Sequence, residues 1–294
     1  MASMKHLLLG LLSRNKDGSM STQDARAKIL IQASGQLKEG GYKLASPDSL
    51  KPKHIEYLVE RWKSEGLSAG TIKNRMSHLR WWAEKVGKSS IIPKSNTGSN
   101  QAIKLDIDKR SYVPTETKAK LLDTAKLDLI QDPRLKLSLR LQKEFGLRRE
   151  ECLKFRPSHA VQGDKLHLKA SWCKGGRARI VPIRTAAQVQ LLKEIQQTVG
   201  NGSMIPSDKS YLQRLKFYEN ETGRAGLDCN HGLRHMYAQN RYEELTGWKC
   251  PIAGGPSSKE LTPEQKQADR EARLQISQEL GHEREQITVT YIGR

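Results

Sequence analysis

Apolar residues recur at helical spacing through the first third of the chain. Thr22–Leu37, which follows the Gly18-Ser19 break, reads as one helix. Ile55, Leu58, Val59 and Trp62 fall at i, i+3, i+4 and i+7, with Pro52 near the start of that helix and Gly66 near its end. Ser68 can cap a third helix running to Gly87, whose inward stripe is Ile72, Met76, Leu79, Ala83 and Val86. The opposite face is expected to present Lys73, Asn74, His78, Arg80 and Trp81 to solvent. The period then lapses: residues 93–112, opening with Pro93-Lys94-Ser95-Asn96-Thr97-Gly98-Ser99-Asn100, read as a polar linker.

Beyond it, helical patterns cover 115–130 and 134–145, the second stopping at Gly146. Lys165–Trp172 alternates with period two, placing Leu166, Leu168 and Ala170 on one face, and Arg179–Ile183 alternates again. Lys174-Gly175-Gly176 lies between them, so the pair reads as a hairpin with a lysine at its tip. Helical patterns return over 186–199, 208–223 and 231–245. Thr262-Pro263-Glu264-Gln265 places Thr at N-cap, Pro at N1 and Gln at N3 of a further helix. The expected architecture is mainly α with a small antiparallel β-sheet. It comprises a helical domain at 1–92, a linker at 93–112 and a mixed α/β domain at 113–294.

Charge adds a partner to this picture. The 294 residues carry 51 Lys+Arg against 32 Asp+Glu, a formal net charge of +19. Residues 1–100 hold 17 basic and 8 acidic side chains, and the remainder 34 and 24, so both domains are basic. A polyanion touching both is the natural ligand. No run reaches the roughly 20 apolar residues that cross a bilayer. The apolar stretch Leu7–Leu12 is short and lacks a small-residue cleavage site, which argues against a secretory leader. Cys152, Cys173, Cys229 and Cys250 are widely spaced with no C-x-x-C, which fits a reducing compartment rather than a zinc site.

Four separated patches carry candidate chemistry: Gly146-Leu147-Arg148-Arg149-Glu150-Glu151, Lys174-Gly175-Gly176, His231-Gly232-Leu233-Arg234-His235, and Leu280-Gly281-His282 with Tyr291 nine positions later. Cleavage of a phosphodiester by a side-chain nucleophile builds charge on the non-bridging oxygens. Two guanidiniums, Arg148 and Arg234, can clamp those oxygens with forked hydrogen bonds. An ammonium on a flexible hairpin, Lys174, can protonate the leaving oxygen, and a phenol, Tyr291, can attack. Cationic side chains then do the work a metal would do, so the set calls for neither metal nor cofactor.

In this order and spacing the patches resemble the tyrosine recombinase (phage-type integrase) family, over nearly the whole chain. The resemblance implies a core-binding domain in the N-terminal helices and a catalytic domain from about residue 113. It implies that Arg148, Lys174, His231, Arg234 and His282 surround the phosphate and that Tyr291 forms a 3′-phosphotyrosyl link. Glu151 takes the family's supporting acidic position, and His235 is a further supporting residue. Contact with the DNA backbone is expected from Lys73, Arg75, Arg80, Arg149, Arg177 and Arg179. The implied setting is the cytoplasm of a bacterium, at the nucleoid or on a mobile element. The implied partners are double-stranded recombination sites, four copies assembling on two duplexes, with accessory DNA-bending proteins as further partners and no membrane. Two other readings share parts of the pattern, a type IB topoisomerase-like enzyme and a non-catalytic architectural DNA-binding protein. The short helical N-terminal domain favours the recombinase over the first, and the complete catalytic set over the second.

Two departures from the family stand out. His231 and His282 are 51 positions apart (282 − 231), longer than is usual, and the extra material centres on Thr246–Arg273. After Tyr291 come Ile292-Gly293-Arg294, where many relatives carry a helix that docks on a neighbouring subunit. The extra segment is therefore expected to contact a neighbouring subunit or the DNA near the cut.

Overall fold

The computed structural model describes residues 3–97, 99–100, 103–109 and 111–294. The chain divides into two units, Met1–Ser111 and Tyr112–Arg294.

The first unit is built on four helices, α1 (Met4–Arg14), α2 (Met20–Glu39), α3 (Pro52–Ser64) and α4 (Ala69–Lys85). The short apolar run of the sequence lies in α1, which buries Leu8 and Leu11. Ser19 and Ser68 cap α2 and α4 by accepting from the Thr22 and Thr71 amides, each at 3.3 Å. The α3 stripe Ile55, Leu58, Val59 and Trp62 is buried as its spacing requires. So are Ile72, Met76, Leu79 and Ala83 of α4, while Val86, at its C-cap, is half-buried.

The polar face expected of α4 is only partly there. His78 and Trp81 are buried. The Arg26 guanidinium lies 4.2 Å from the Trp81 ring centre, and the indole N–H donates to Asp17 at 2.8 Å. On the adjoining side Trp82 donates to the Pro47 carbonyl at 3.1 Å. The helix is covered on two sides, so a single stripe underestimates what it buries.

The expected linker is also drawn into this unit. Ile103, Leu105 and Ile107 are at most 4% exposed and join its core. Their alternation with Lys104, Asp106 and Asp108 is a period-two signal hidden within a polar stretch.

In the second unit the helix expected over 115–130 shortens to α5 (Thr124–Asp128). Residues 118–120 instead run along the start of a later helix. There the Lys120 amide donates to the Gly232 carbonyl at 3.0 Å, and a Cβ on Gly232 would sit 2.6 Å from the Lys118 carbonyl. A tertiary strap thus replaces local helix. Next come α6 (Pro133–Phe145), α7 (Arg149–Lys154) and α8 (Pro157–Ala160). They lead into an antiparallel sheet in the order β1 (Val161–Gln162), β2 (Lys165–Leu168), β3 (Arg179–Pro182). The register pairs Lys165 with Pro182 and Leu168 with Arg179. β2 is shorter than expected: Ala170–Trp172 form a 3-10 turn, Ala170 is exposed, and Trp172 is buried beside Phe155 and His159. Four further helices complete the unit: α9 (Ala186–Val199), α10 (Tyr211–Arg224), α11 (His231–Thr246) and α12 (Pro263–Glu279). A single turn, α13 (Val289–Ile292), follows them. Thr262 caps α12 by accepting from the Gln265 amide at 3.3 Å.

Candidate active site

Each patch singled out in the sequence lies at the end of an element. Asp132 caps α6, and Gly146 ends it in the left-handed region at φ +60°, where a Cβ would come within 2.5 Å of the Tyr237 ring. The chain can therefore turn sharply and set Arg148 at the N-cap of α7. Glu151, in the first turn of α7, accepts from the Arg148 amide at 2.6 Å and from Arg148 Nη1 at 3.0 Å. The hairpin connection carries Lys174 on an exposed turn with Gly175 and Gly176 at positive φ. His231, Arg234 and His235 share the first turns of α11, and i/i+3/i+4 spacing turns them to one side. His282 follows α12, and Tyr291 sits on α13.

Their side chains converge. The Tyr291 hydroxyl lies 3.3 Å from Arg234 Nε and 3.4 Å from His282 Nε2. Arg148 Nη2 is 3.5 Å from the same His282 nitrogen. The His235 ring centre is 4.7 Å from that of Tyr291, and the His231 ring lies 5.5 Å from His235. Among the described residues Lys174 forms no ion pair with a carboxylate, and its charge adds the smallest part to the burial and arginine charges that hold the His231 and His282 imidazoles below their usual pKa.

Cations outnumber carboxylates here. Arg234 is 1% exposed, and its two Nη groups donate to the neutral carbonyls of Gly146 and Leu280. Burial lowers its pKa to about 10, so it remains charged at neutral pH. Glu151 is fully buried. Burial alone would raise its pKa, but the Arg179, Arg234 and Arg148 charges reverse this and hold it at about 2. Burial, reinforced by neighbouring charges including Arg234, pushes His231 down and takes His235 and His282 to about 4. At neutral pH these rings are uncharged, and the remaining field is positive, as a phosphate would need.

Arg179 needs correction as a DNA contact. It is 8% exposed. Its Nη1 and Nη2 donate to the two oxygens of Glu151 at 2.5 and 2.7 Å, and its Nε donates to the Glu279 carbonyl at 2.9 Å. It holds Glu151, which in turn holds Arg148. Period two along β3 places Arg179 on the buried face with Val181, a signal the charge of its side chain masks. Sequence reasoning also missed the acceptors that orient Arg234 and the Gln239 amide, which donates to the Tyr291 carbonyl at 2.9 Å. No short motif marks either.

The other expected DNA contacts are dispersed. Arg149 and Arg177 are exposed and paired with Glu219 and Glu283. Arg75 is half-buried against Trp62, its guanidinium carbon 5.1 Å from the ring centre. In the first unit Lys73, Arg80, Lys94 and Lys109 line an open cleft of about 510 Å³ with Ser77 and Asn96. There Arg80 donates to the Pro93 carbonyl at 2.9 Å and to the Asn96 side chain at 2.6 Å. Among the described residues no group of three or more His, Cys, Asp or Glu could hold a metal ion. None of the described helices is long and apolar enough to cross a membrane.

Residues 1–92 match the family model of the phage integrase N-terminal domain, and residues 109–240 match the integrase model. No sequence among the curated proteins matches the chain. Among solved structures, the Tn1549 transposon integrase in complex with circular intermediate DNA is 14% identical. That alignment covers 100% of this chain and 96% of the other, with a TM-score of 0.55. XerH site-specific recombinase bound to a palindromic difH substrate is 18% identical over 99% of this chain and 81% of its own, with a TM-score of 0.56. The lambda integrase tetramer bound to a Holliday junction is 17% identical over 81% and 73%, with a TM-score of 0.53. At these identities the structures speak for the fold, and the two family models speak for descent. With each unit matched by its own model, the chain belongs to the phage-type integrase family, the tyrosine recombinases.

Proposed function

We propose that this site-specific recombinase cuts and rejoins DNA with Tyr291 as its nucleophile. The observation that carries the reading is the Tyr291 hydroxyl, lodged between Arg234 Nε and His282 Nε2 in a pocket of excess positive charge. In the forward step the phenol oxygen bonds to phosphorus and the bond from phosphorus to the 5′ oxygen breaks. The phenol's proton passes to solvent, with His231 assisting its removal or orienting the phosphate; His282, uncharged at pH 7, lies 3.4 Å from the phenol oxygen and adds a hydrogen bond. Arg148 and Arg234 neutralise the charge gathering on the non-bridging oxygens, and removing one such donor costs about 10²–10³ in rate. Lys174 gives its proton to the departing 5′ oxygen. The phosphotyrosyl bond stores the energy of the broken one, so a second 5′ hydroxyl can displace Tyr291 without ATP.

Recombination exchanges strands between two duplexes, and four copies of the chain would supply one nucleophile per strand. The lambda integrase tetramer on a Holliday junction supports this arrangement. The basic cleft lined by Lys73, Arg80, Lys94 and Lys109 is the phosphate contact we assign to the first unit.

Covalent capture tests the reading. The protein is incubated with a library of nicked duplexes of randomised sequence, denatured and digested with trypsin. Mass spectrometry should find nucleotide on the peptide covering 285–294. Tyr291→Phe should bind duplex as the wild type does and yield no adduct. An adduct on another residue, or one that persists in the phenylalanine variant, refutes the assignment.

A further inference from the structure

The proposed nucleophile rides on a single turn of helix. A four-residue helix has no stability of its own, because nucleation costs more than one turn returns. What holds α13 must therefore be tertiary. Ile292 is fully buried with Cys250, Ile276 and Leu280, and Trp248 and Ile252 pack against the same cluster. Gly293 has φ +76°, and a Cβ there would sit 2.8 Å from the Ile252 amide nitrogen and 3.3 Å from Pro251 Cβ. The backbone after Tyr291 thus lies directly on residues 251–252.

Those residues belong to the connection between α11 and α12, positions 247–262. Packed helices are commonly joined by about 2–8 residues, and longer connections usually carry a function. This one is built tightly. The Ala253 and Gly255 amides both donate to the Cys250 carbonyl, at 2.9 and 3.0 Å, and a Cβ on Gly255 would strike the Lys249 carbonyl at 1.6 Å. A second hold comes from α12. Arg273 Nη1 donates to the Gly293 carbonyl at 2.9 Å, past the end of α13, where helix carbonyls lack partners. Arg273 is itself fixed by Asp269, through Nε contacts of 2.8 and 2.9 Å, and Asp269 accepts from the Tyr242 hydroxyl at 2.5 Å.

We infer that segment 248–255 and Arg273 form a seat for the α13 turn, and that Arg273 is a positioning residue for Tyr291, acting through the Gly293 carbonyl. The inference rests on Tyr291 being the nucleophile. It gives the extra segment a task within its own subunit, beside the contact with a neighbour or with DNA expected from sequence.

Arg273→Gln, Arg273→Lys and Ile252→Ala test it. Three quantities are measured on the full chain: the single-turnover rate of adduct formation on a captured nicked duplex, the Kd for that duplex, and amide hydrogen exchange. Losing a charge-assisted bond should slow adduct formation about tenfold to a hundredfold with Kd unchanged. Arg273→Lys should recover part of that loss. A 5′-thiol leaving group should not rescue Arg273→Gln, because the defect lies in the attack. Amides at 291–293 should exchange faster while those inside α12 keep their protection. A wild-type rate in Arg273→Gln overturns the inference. If α12 loses protection in that variant, Ile252→Ala decides: slowed adduct formation upholds the seat, and a normal rate removes it. If the wild type itself forms no adduct at Tyr291, the nucleophile assignment fails, and exchange at 291–293 still decides whether the seat exists.

Discussion

Replacing Glu151 by Gln removes one charge from the interior and changes almost no volume. Each carboxylate oxygen serves two donors, Arg148 Nη1 and Arg179 Nη1 on one, the Arg148 amide and Arg179 Nη2 on the other. Whichever way the glutamine amide turns, its NH₂ faces one nitrogen from each arginine. Two routes give the cost. The carboxyl is held at about 2 against an ordinary 4.5. At about 1.36 kcal/mol per pKa unit this corresponds to about 3 kcal/mol of stability at neutral pH. Breaking a buried ion pair from one side costs about 3–5 kcal/mol. The two agree and form a large share of the roughly 5–15 kcal/mol that holds a protein folded. The sign follows from the depressed value. The contribution is complete above about pH 4.5 and disappears as pH falls towards 2 and the wild-type carboxylate protonates. Calorimetry at pH 7 should show the transition of the second unit lowered by roughly 10 °C, at about 2–4 °C per kcal/mol. The gap from wild type should narrow below pH 4.5. Adduct formation should fall as well, since Arg148 loses its anchor. A Glu151→Gln protein within about 1 kcal/mol of wild type at pH 7 would refute the reasoning.

Lys174→Ala should slow cleavage of ordinary DNA about 10²–10⁴-fold and regain most of that rate on a 5′-thiol substrate, whose leaving group scarcely needs a proton; absence of rescue would exclude Lys174 as the general acid. Gly146→Ala should destabilise the second unit by about 2 kcal/mol or more, because it forces a side chain into the left-handed region and against Tyr237; a neutral result in denaturant titration would contradict the close approach. His231, His235 and His282 are held neutral in the fold by burial and nearby cations, so unfolding takes up protons below about pH 6.5. Stability should fall as pH drops from there towards 4, and His235→Asn should flatten that slope. An unchanged slope in the variant would remove His235 from the acid response.

Local rules reach far in this chain. The α3 stripe, the Ser68 cap, the stop at Gly146 and the Thr262 start depend on residues within a few positions of one another, so spacing alone reveals them. The catalytic candidates are legible for a different reason. Phosphoryl transfer needs particular charged groups, and Arg148, Arg234, His282 and Tyr291 meet in the fold as their order in the chain suggests. What the sequence could not decide is which cations face a ligand and which are used up inside. Arg179 carries the same charge as Arg148, yet strand alternation and the position of Glu151 turn it into a buried brace. Trp81 has helical spacing for an exposed face, but α4 is covered on two sides. Residues 118–120 have helix-forming neighbours, but their backbone serves α11 instead. The seat beneath Tyr291 joins residues 251–252, 273 and 293, whose contact arises only when α12 folds back along α11. No local period encodes such meetings, because their partners are chosen by packing and by the need to pair every buried polar group.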